Sequence, residues 1–242
     1  MTSIVQNPDK AIIPRKTKEI LRGLSENSYC RVAIISGRAL KDIKNKISLD
    51  GIIYAGNHGL EIDGPKVKFK APVTMRYMVM LKKIKGILKN RLSKIKGTIV
   101  EDKGLTLSVH YRLVDSKDTG LVKTIFHKTL IHYIVNNKIK IKPGKKVLEI
   151  RPPLEWDKGK IVLWLLARHK FILNGEPCIP IYIGDDVTDE DAFKALRDKG
   201  LTIFVGENEH SFAKYYLRNT REVTEFLGQV LKIKQGDNIC QD

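Results

Sequence analysis

The sequence predicts an α/β protein that carries a second, smaller module inserted into its chain. Uninterrupted runs of β-branched residues alternate with segments of helical periodicity at both ends of the 242-residue chain. Such runs are typical of strands buried on both faces of a parallel sheet, and their alternation with helices defines the α/β class. The middle third instead shows a long basic amphipathic helix and a strand of alternating polarity, which predicts an α+β module with an open sheet.

Two helices and two strands are predicted before the module. Pro14 marks a helix start, and the apolar spacing after it predicts a helix that ends near residues 23–27. The run Arg31–Ser36, followed by a glycine, predicts a buried strand. A short helix over residues 39–47 then leads to a second buried strand over residues 52–55.

Two more helices and two strands are predicted within the module. The helices cover residues 73–92 and 121–135, and the strands cover residues 106–112 and 147–151. Polar and apolar residues alternate in the first of these strands, so we expect it to be solvated on one face. Four aromatic residues at helix or strand spacing are expected in the core of the module: Tyr77, Tyr111, Phe126 and Tyr133.

Helix and strand alternate again after the module. Helices are predicted over residues 158–168, 189–196 and 222–231, and strands over residues 181–184 and 201–205. The same α/β rhythm on both sides of the module indicates that the two ends of the chain form one discontinuous domain.

The charge distribution indicates where the inserted module begins and ends. The chain carries a net charge of +17, and residues 65–152 hold 22 Lys and Arg residues against five Asp and Glu residues. That segment therefore accounts for the whole surplus, and the rest of the chain is balanced. We predict a core formed by residues 1–64 and 153–242, and a basic module formed by residues 65–152.

Composition also argues against membrane and secreted classes. The longest apolar run, residues 161–167, is far shorter than the roughly 20 residues that span a bilayer. The first nine residues lack the pattern of a secretory signal. Three widely separated cysteines suggest neither a disulfide framework nor a zinc site. We therefore expect a cytoplasmic protein without a membrane partner.

An acidic cluster follows the predicted strand at residues 181–184. Five of the seven residues from Asp185 to Asp191 are acidic. A helix N-cap and first turn account for Asp189 and the two acids after it. Asp185 and Asp186 add two more charges at the carboxyl end of a strand, where open α/β sheets place their ligands. Because Mg²⁺ binds through one or two carboxylates with water and phosphate oxygens, the cluster predicts a magnesium site.

Two other segments are weaker candidates for phosphate binding. The turn Ser36-Gly37-Arg38 offers a hydroxyl and backbone amides after a buried strand, although an ordinary turn has the same composition. Lys158 in the segment Trp156-Asp157-Lys158-Gly159 opens a predicted helix, where a cation opposes the helix dipole unless an anion lies nearby. A structural lysine and a phosphate-binding lysine remain equally good interpretations.

Taken in order, these segments resemble the haloacid dehalogenase superfamily, and more specifically the trehalose-6-phosphate phosphatases. The resemblance covers nearly the whole chain and is carried by six motifs: SGR at 36–38, AGNHGLE at 55–61, LSVHYR at 107–112, GKKVLEIRP at 144–152, WDKG at 156–159 and GDDVTDED at 184–191. It implies a Rossmann-like core with an inserted cap, or lid, and the Mg²⁺-dependent hydrolysis of trehalose 6-phosphate to trehalose and phosphate.

The resemblance also implies a role for each motif residue. Ser36 and Lys158 would hold and neutralise the transferring phosphoryl group, and Asp185, Asp186 and Asp189 would surround the metal. Sugar hydroxyls and phosphate would be bound by a further set: Arg38, Asn57, His58, His110, Arg112, Lys145, Glu149 and Arg151. Glu149 is the single acid between Asp118 and Glu155, so a structural ion pair competes with hydroxyl recognition at this position.

One motif of the superfamily is absent from the sequence. The mechanism uses an aspartate nucleophile and a second aspartate as general acid and base, both in a DxDGT loop after the first core strand. Met1 falls where the residue after that loop stands in the family. We expect the 242 residues to be inactive unless in-frame codons upstream supply this loop and its strand.

Three rival functions remain open from the sequence. Another sugar phosphatase of the superfamily would share the core and differ in the cap. A non-catalytic regulatory subunit would bind a partner without turnover. Nucleic-acid binding would use the positive charge, but the basic module lacks aromatic interleaving and any recognised motif. An acidic partner such as a trehalose-phosphate synthase would also suit the surplus charge.

Overall fold

The computed structural model describes residues 12–172, 178–207 and 210–236, and these residues form two compact units. The first unit comprises the described residues up to Phe69 and from Trp156 onwards, and the second comprises Lys70–Glu155. Residues 65–69 lie in the first unit because the strand Val67–Lys70 belongs to the sheet of that unit. Each unit has its own hydrophobic core.

The first half of the first unit is a four-stranded sheet with two helices. β1 and β2 are parallel, with Ala33 opposite Ile53, and β3 continues from β2 in the antiparallel sense. Helix α1 begins after Pro14 and buries Ile20, Leu21 and Leu24, as the apolar spacing predicts. In chain order the elements are α1 (Arg15–Glu26), β1 (Ala33–Ile35), α2 (Leu40–Ile47), β2 (Ile53–Gly56), β3 (Glu61–Gly64) and β4 (Val67–Lys70).

The second unit is a four-stranded antiparallel sheet covered by two helices. Its strand order is β5-β6-β8-β7. The buried face of each helix packs on this sheet, with Leu88 and Phe126 completely buried. The elements are α3 (Met75–Leu92), β5 (Ile99–Asp102), β6 (Leu107–His110), α4 (Thr119–Val135), β7 (Lys140–Gly144) and β8 (Val147–Arg151).

The expectation that the strand at residues 106–112 is solvated on one face is wrong. Thr106, Leu107, Ser108 and Val109 are all buried. The strand β6 lies between β5 and β8, and the Ser108 hydroxyl on its polar face lies 3.5 Å from the Glu149 carboxylate of β8. The alternating pattern is therefore that of a strand with one apolar and one polar buried face.

The second half of the first unit is a three-stranded parallel sheet with the order β11-β10-β9. Helices α5 and α6 pack against each other, and Ala192, Phe193 and Leu196 of α6 are buried. The elements are α5 (Lys158–Ile172), β9 (Ile181–Gly184), α6 (Glu190–Leu196), β10 (Leu201–Val205), β11 (Tyr215–Leu217) and α7 (Thr220–Gly236).

The strands β1 and β9 are the end strands of these two sheets. Within the described ranges, no strand pairs with the outer edge of either one. Ile35 of β1 packs against the hydrophobic cluster that contains Tyr182 of β9 and against the cluster that contains Ala55 of β2. The two sheets therefore share a core, and the turns after β1 and β9 belong to one unit.

Helices long and apolar enough to cross a lipid bilayer are absent from the part of the chain that the structure describes.

Candidate active site

Two turns at the ends of β1 and β2 are joined by backbone hydrogen bonds. The amide of Asn57 donates to the carbonyl of Arg38 over 2.6 Å, and the amide of His58 donates to the carbonyl of Ser36 over 2.9 Å. Asn57 and His58 both have positive φ angles, of 50° and 54°, a conformation that non-glycine residues adopt rarely. The first and second candidate motifs therefore form one rigid structure at the ends of adjacent parallel strands.

Gly37 lies directly against the imidazole ring of His58. A Cβ atom at position 37 would overlap the Nε2 and Cε1 atoms of that ring. Arg38 donates from its amide to the Ser36 hydroxyl over 3.2 Å and from its guanidinium to Asp42 over 2.7 Å. The absence of a side chain at position 37 lets the histidine approach the Ser36 turn.

The segment that begins α5 is fixed to the second turn. The Trp156 indole N–H donates to the carbonyl of Gly59 over 2.8 Å. A Cβ atom on Gly59, which has a φ of 83°, would overlap the side chain of Ile161 in α5. Lys158, the first residue of α5, is therefore held next to the turn that carries Asn57 and His58.

Lys158 forms a buried ion pair with Asp189. Its ammonium lies 2.6 Å from Asp189 Oδ1, and the two side chains are 10% and 5% exposed. The anion that a cation at a helix start requires is thus supplied by the acidic loop after β9. A buried charge needs a partner of this kind, since an unpaired one is strongly unfavourable.

The Asp189 carboxylate organises the acidic loop through four donors. Oδ1 accepts from Lys158 and from the Tyr182 hydroxyl at 2.6 Å, and Oδ2 accepts from the amides of Asp185 and Asp186 at 3.1 and 3.0 Å. The Asp186 side chain in turn accepts a hydrogen bond from the Asp189 amide. A side chain at Gly184 would overlap the Asp189 carboxylate. The loop therefore closes around one carboxylate.

Tyr182 is held in its neutral form by this environment. Burial raises the pKa of its hydroxyl well above the ordinary value, and the negative charge of Asp189 raises it further. The hydroxyl is therefore a stable donor to Asp189. Tyr182 is not recognisable as a site residue from the sequence, because a tyrosine in an apolar strand has the pattern of a core residue.

The carboxylates of Asp185 and Asp186 suit a hard divalent cation. Asp185 is exposed at the end of β9, and its side chain accepts no hydrogen bond from the described residues. One or two carboxylates completed by water and phosphate oxygens are the usual protein share of a Mg²⁺ site. In the described parts of the chain, no group of three or more His, Cys, Asp or Glu side chains is arranged so that it could hold a metal ion. Asp189 is already saturated by its four donors.

Ser36, Lys158 and Asp185 thus belong to one continuous set of contacts. Ser36 is joined to the turn at residues 57–59, that turn to the start of α5, and Lys158 through Asp189 to Asp185. The elements involved are far apart in sequence and meet at the carboxyl ends of β1, β2 and β9, where α/β proteins bind their ligands.

In the second unit, Glu149 is the centre of a separate polar cluster. Its carboxylate accepts from Lys103 over 2.9 Å and from Arg151 over 2.6 Å, and it lies 3.5 Å from the Ser108 hydroxyl. Glu149 and Arg151 are candidate residues from the sequence, whereas Lys103 and Ser108 are not. Lys103 stands 46 positions before Glu149, and no local pattern marks the pair.

The other candidates in the second unit lie apart from the Glu149 carboxylate in the register of the sheet. His110 is opposite Val147, two pairs from Glu149, and its Nε2 lies 2.7 Å from Glu101 Oε2. The Arg112 guanidinium donates to the carbonyl of Lys145 over 3.0 Å, and both of these residues are exposed. They form a second polar group at the far end of β6.

The profile of the trehalose-phosphatase family matches residues 1–221 of the chain. The chain belongs to this family. It is 38% identical to the probable trehalose-phosphate phosphatase D of Arabidopsis thaliana over 247 residues, which cover 97% of this chain and 65% of that protein. It is 32% identical to the trehalose-phosphate phosphatase of Mycobacterium marinum, over 95% of this chain and 58% of that protein.

A solved structure from the same family has the same fold. The C-terminal domain of the trehalose-6-phosphate phosphatase of Candida albicans superposes with a TM-score of 0.78 and 26% identity, over 96% of this chain and 89% of that one. The haloacid dehalogenase fold predicted from the six motifs is therefore confirmed. The chain spans less than two thirds of the length of each of the two relatives named above.

Proposed function

We propose that the protein hydrolyses trehalose 6-phosphate to trehalose and phosphate. The proposal rests on one set of contacts: the Ser36 turn is joined to the start of α5 through the turn at residues 57–59, and Lys158 is joined to the Asp185–Asp186 loop through the buried Asp189 carboxylate. Membership of the trehalose-phosphatase family supports the same substrate.

The proposed roles follow from the chemistry of phosphoryl transfer. Catalysis of this reaction depends mainly on positioning and on neutralising the charge of the phosphoryl group. The Ser36 hydroxyl and the amides of its turn would bind phosphoryl oxygens, and the Lys158 ammonium would neutralise their charge. Arg38, Asn57 and His58 would orient the substrate at the same edge of the sheet.

A divalent cation fits the acidic loop, and we propose Mg²⁺. Phosphatases of this superfamily are generally metal-dependent. Asp185 would be the direct ligand, with Asp186 beside it, and Asp189 would hold the loop that presents both. When bound, the cation would add positive charge at the phosphoryl oxygens.

The acceptor of the phosphoryl group stays a prediction from the sequence. Among the described residues, the turn after β1 and the loop after β9 carry no DxDGT motif.

We propose that the second unit acts as the cap and binds the disaccharide. Glu149 and Arg151 are its most buried candidates, and His110, Arg112 and Lys145 form the second polar group. The surplus of Lys and Arg over Asp and Glu in this unit favours an anionic substrate. The same positive charge would suit an acidic partner such as a trehalose-phosphate synthase. The location of the protein in the cytoplasm stays a prediction.

The test is a phosphate-release assay on a substrate panel, with the 242-residue chain and with the chain extended by any in-frame upstream codons. We expect the extended chain to release phosphate from trehalose 6-phosphate in Mg²⁺ and to lose this activity in excess chelator, and we expect the 242-residue chain to be inactive. Faster phosphate release from sucrose 6-phosphate or mannosyl phosphoglycerate would show that this compound, and not trehalose 6-phosphate, is the preferred substrate. Binding of trehalose 6-phosphate without release by either chain would favour the regulatory subunit.

The metal proposal has its own matched pair of variants. Asp185→Asn should weaken Mg²⁺ binding, measured by titration calorimetry without substrate, because it removes the exposed carboxylate of the loop. Asp198→Asn, at an exposed aspartate after α6, should leave Mg²⁺ binding unchanged. Equal Mg²⁺ affinity in both variants would contradict the assignment of Asp185.

A further inference from the structure

Helices α3 and α4 of the second unit present a strongly basic surface to solvent, which is called the outer helix face below. Six Lys and Arg residues lie in α3 and two in α4, and neither helix contains Asp or Glu. Among the described residues, only Lys85 of these eight forms an ion pair, with Asp102. Six of the others are exposed and have no acidic partner in the described ranges: Arg76, Lys82, Lys83, Lys89, Lys123 and Lys128.

Aliphatic side chains are interspersed with these cations. Met75 and Val79 lie one turn apart in α3, and Ile131 and Val135 lie one turn apart in α4. All four side chains are more than half exposed. Lysines stand three or four positions from Val79 and from Ile131, so cations and aliphatic side chains share one face of each helix. Exposed apolar groups rimmed by polar ones are typical of surfaces that bind proteins or membranes.

The outer helix face lies across the sheet from the candidate sugar-binding residues. Val109 of β6 and Ile150 of β8 belong to the hydrophobic core between the sheet and the buried faces of the two helices. Glu149 and Arg151 flank Ile150 along β8, and successive side chains of a strand point to opposite faces. The cations of α3 and α4 are therefore separated from a sugar phosphate at Glu149 by the sheet, and a different anionic partner must account for them.

We propose that the outer helix face binds to the surface of an anionic lipid bilayer. The lysine ammonium groups would contact lipid phosphates, and the four aliphatic side chains would enter the boundary between head groups and acyl chains. A peripheral contact of this kind needs no membrane-spanning segment, and spanning is the only membrane contact that the short apolar runs of the sequence exclude. The proposal does not depend on the proposed substrate.

The composition of the two helices favours lipid over protein or nucleic acid. Lysine supplies six of the eight cations, and α3 and α4, both described throughout, have no exposed Phe, Tyr or Trp side chain. Protein interfaces are instead enriched in aromatic residues and Arg and depleted of Lys. Single-stranded nucleic acids bind through stacking on aromatic side chains. Contacts to duplex phosphates come from polar groups and leave the exposed aliphatic side chains without a partner.

Co-sedimentation of the 242-residue chain with lipid vesicles tests the proposal. Vesicles of phosphatidylcholine and phosphatidylglycerol in equal parts are compared with phosphatidylcholine alone, in about 0.15 M salt, where the Debye length is about 8 Å. We expect binding to the mixed vesicles only. A triple variant, Lys82→Gln with Lys83→Gln and Lys128→Gln, should bind them at least roughly tenfold more weakly. The matched control removes the same charge at exposed lysines outside the two helices and should bind nearly as the wild type does: Lys41→Gln, Lys142→Gln and Lys146→Gln.

A second comparison tests the aliphatic side chains. Val79→Ser combined with Ile131→Ser leaves the charge unchanged and should weaken binding to the mixed vesicles, because it removes apolar groups from the contact. Ile233→Ser, at an exposed position of α7, should leave the binding unchanged. All of these positions are exposed, so we expect every variant to keep the urea midpoint of the wild type.

The outcomes decide between lipid and the other partners. No binding of the wild type to the mixed vesicles, or an equal loss in the two triple variants, would overturn the proposal. Unchanged binding after the two aliphatic substitutions would overturn it as well, because the contact would then depend on charge alone. Tighter binding to duplex DNA than to vesicles, lost in the Lys82, Lys83 and Lys128 variant, would assign the outer helix face to nucleic acid instead.

Discussion

The Lys158 ammonium lies 2.6 Å from the Asp189 carboxylate, and both side chains are buried. This pair connects the first residue of α5 with the loop after β9, which are 31 positions apart. Since Asp189 also accepts from the amides of Asp185 and Asp186, the position of the lysine and the shape of the acidic loop depend on one carboxylate.

Breaking this pair should destabilise the fold as well as the site. Asp189→Asn leaves a buried ammonium without a counter-charge, and the loss of one partner from such a pair costs about 3–5 kcal/mol. We expect a lower midpoint in urea unfolding together with loss of phosphate binding. An unchanged midpoint would contradict the account of a buried, coupled pair. Asp63→Asn, which removes the half-exposed partner of Lys44, should lower the midpoint far less.

Tyr182→Phe should separate positioning from folding. The substitution keeps the ring, which packs edge-on against Phe193, and removes the hydroxyl that donates to Asp189. Hydrogen bonds to charged groups contribute about 1.5–3 kcal/mol, and we expect weaker phosphate binding at a modestly lower stability. Tyr54→Phe removes a buried hydroxyl that bonds Leu49 and should lower stability without changing phosphate affinity. Equal phosphate affinities in the two variants would contradict a positioning role.

The unfolding free energy should fall in alkaline solution, and Tyr182 should contribute to the fall. Burial, followed by the charge of Asp189, raises the pKa of the folded Tyr182 hydroxyl above its unfolded value. A group of this kind contributes its full stability below the unfolded pKa, near pH 10, and loses it as the pH rises towards the folded pKa. Denaturant unfolding between pH 9 and pH 11 should therefore show a shallower decline in Tyr182→Phe than in the wild type. Parallel declines would contradict this contribution.

Gly37→Ala should disturb the joined turns at Ser36 and Asn57. The added methyl group overlaps the His58 ring, and forced contacts of this kind cost about 1–3 kcal/mol. We expect reduced stability and weaker phosphate binding. Gly86→Ala is the opposite control, because position 86 lies in the middle of α3 with nothing near an added Cβ. It should raise stability by up to about 1 kcal/mol, and a similar gain at position 37 would contradict the packing described here.

Sequence patterns predict the long and apolar elements of this fold well. The strands β8, β9 and β10 have the predicted bounds. β9 and β10 are largely apolar or β-branched runs next to a turn signal, whereas β8 also carries Glu149 and Arg151. Five strands are not predicted: β3, β4, β5, β7 and β11. β7 contains two lysines, a proline and a glycine, and it is a strand only because β8 pairs with it.

Residues of the candidate site can be predicted where several polar or charged side chains lie in one short segment of the sequence. The acidic loop and the turn at Ser36 are visible as local motifs, and the parallel-sheet pattern predicts that they meet. Lys103 and Tyr182 are not visible, because their roles come from partners brought together by the fold. The polar buried face of β6 is not predicted for the same reason. The alternation of polar and apolar residues alone does not show whether the polar face contacts water or charged side chains.

Calorimetric titration of the protein with trehalose 6-phosphate in the presence of Mg²⁺, with sucrose 6-phosphate as the comparison ligand, tests the proposed substrate and the role of Lys158. We expect trehalose 6-phosphate to bind at least about tenfold more tightly, a difference of about 1.4 kcal/mol, and Lys158→Met to abolish its binding. Equal affinity for the two sugar phosphates, or full binding by Lys158→Met, would contradict this expectation.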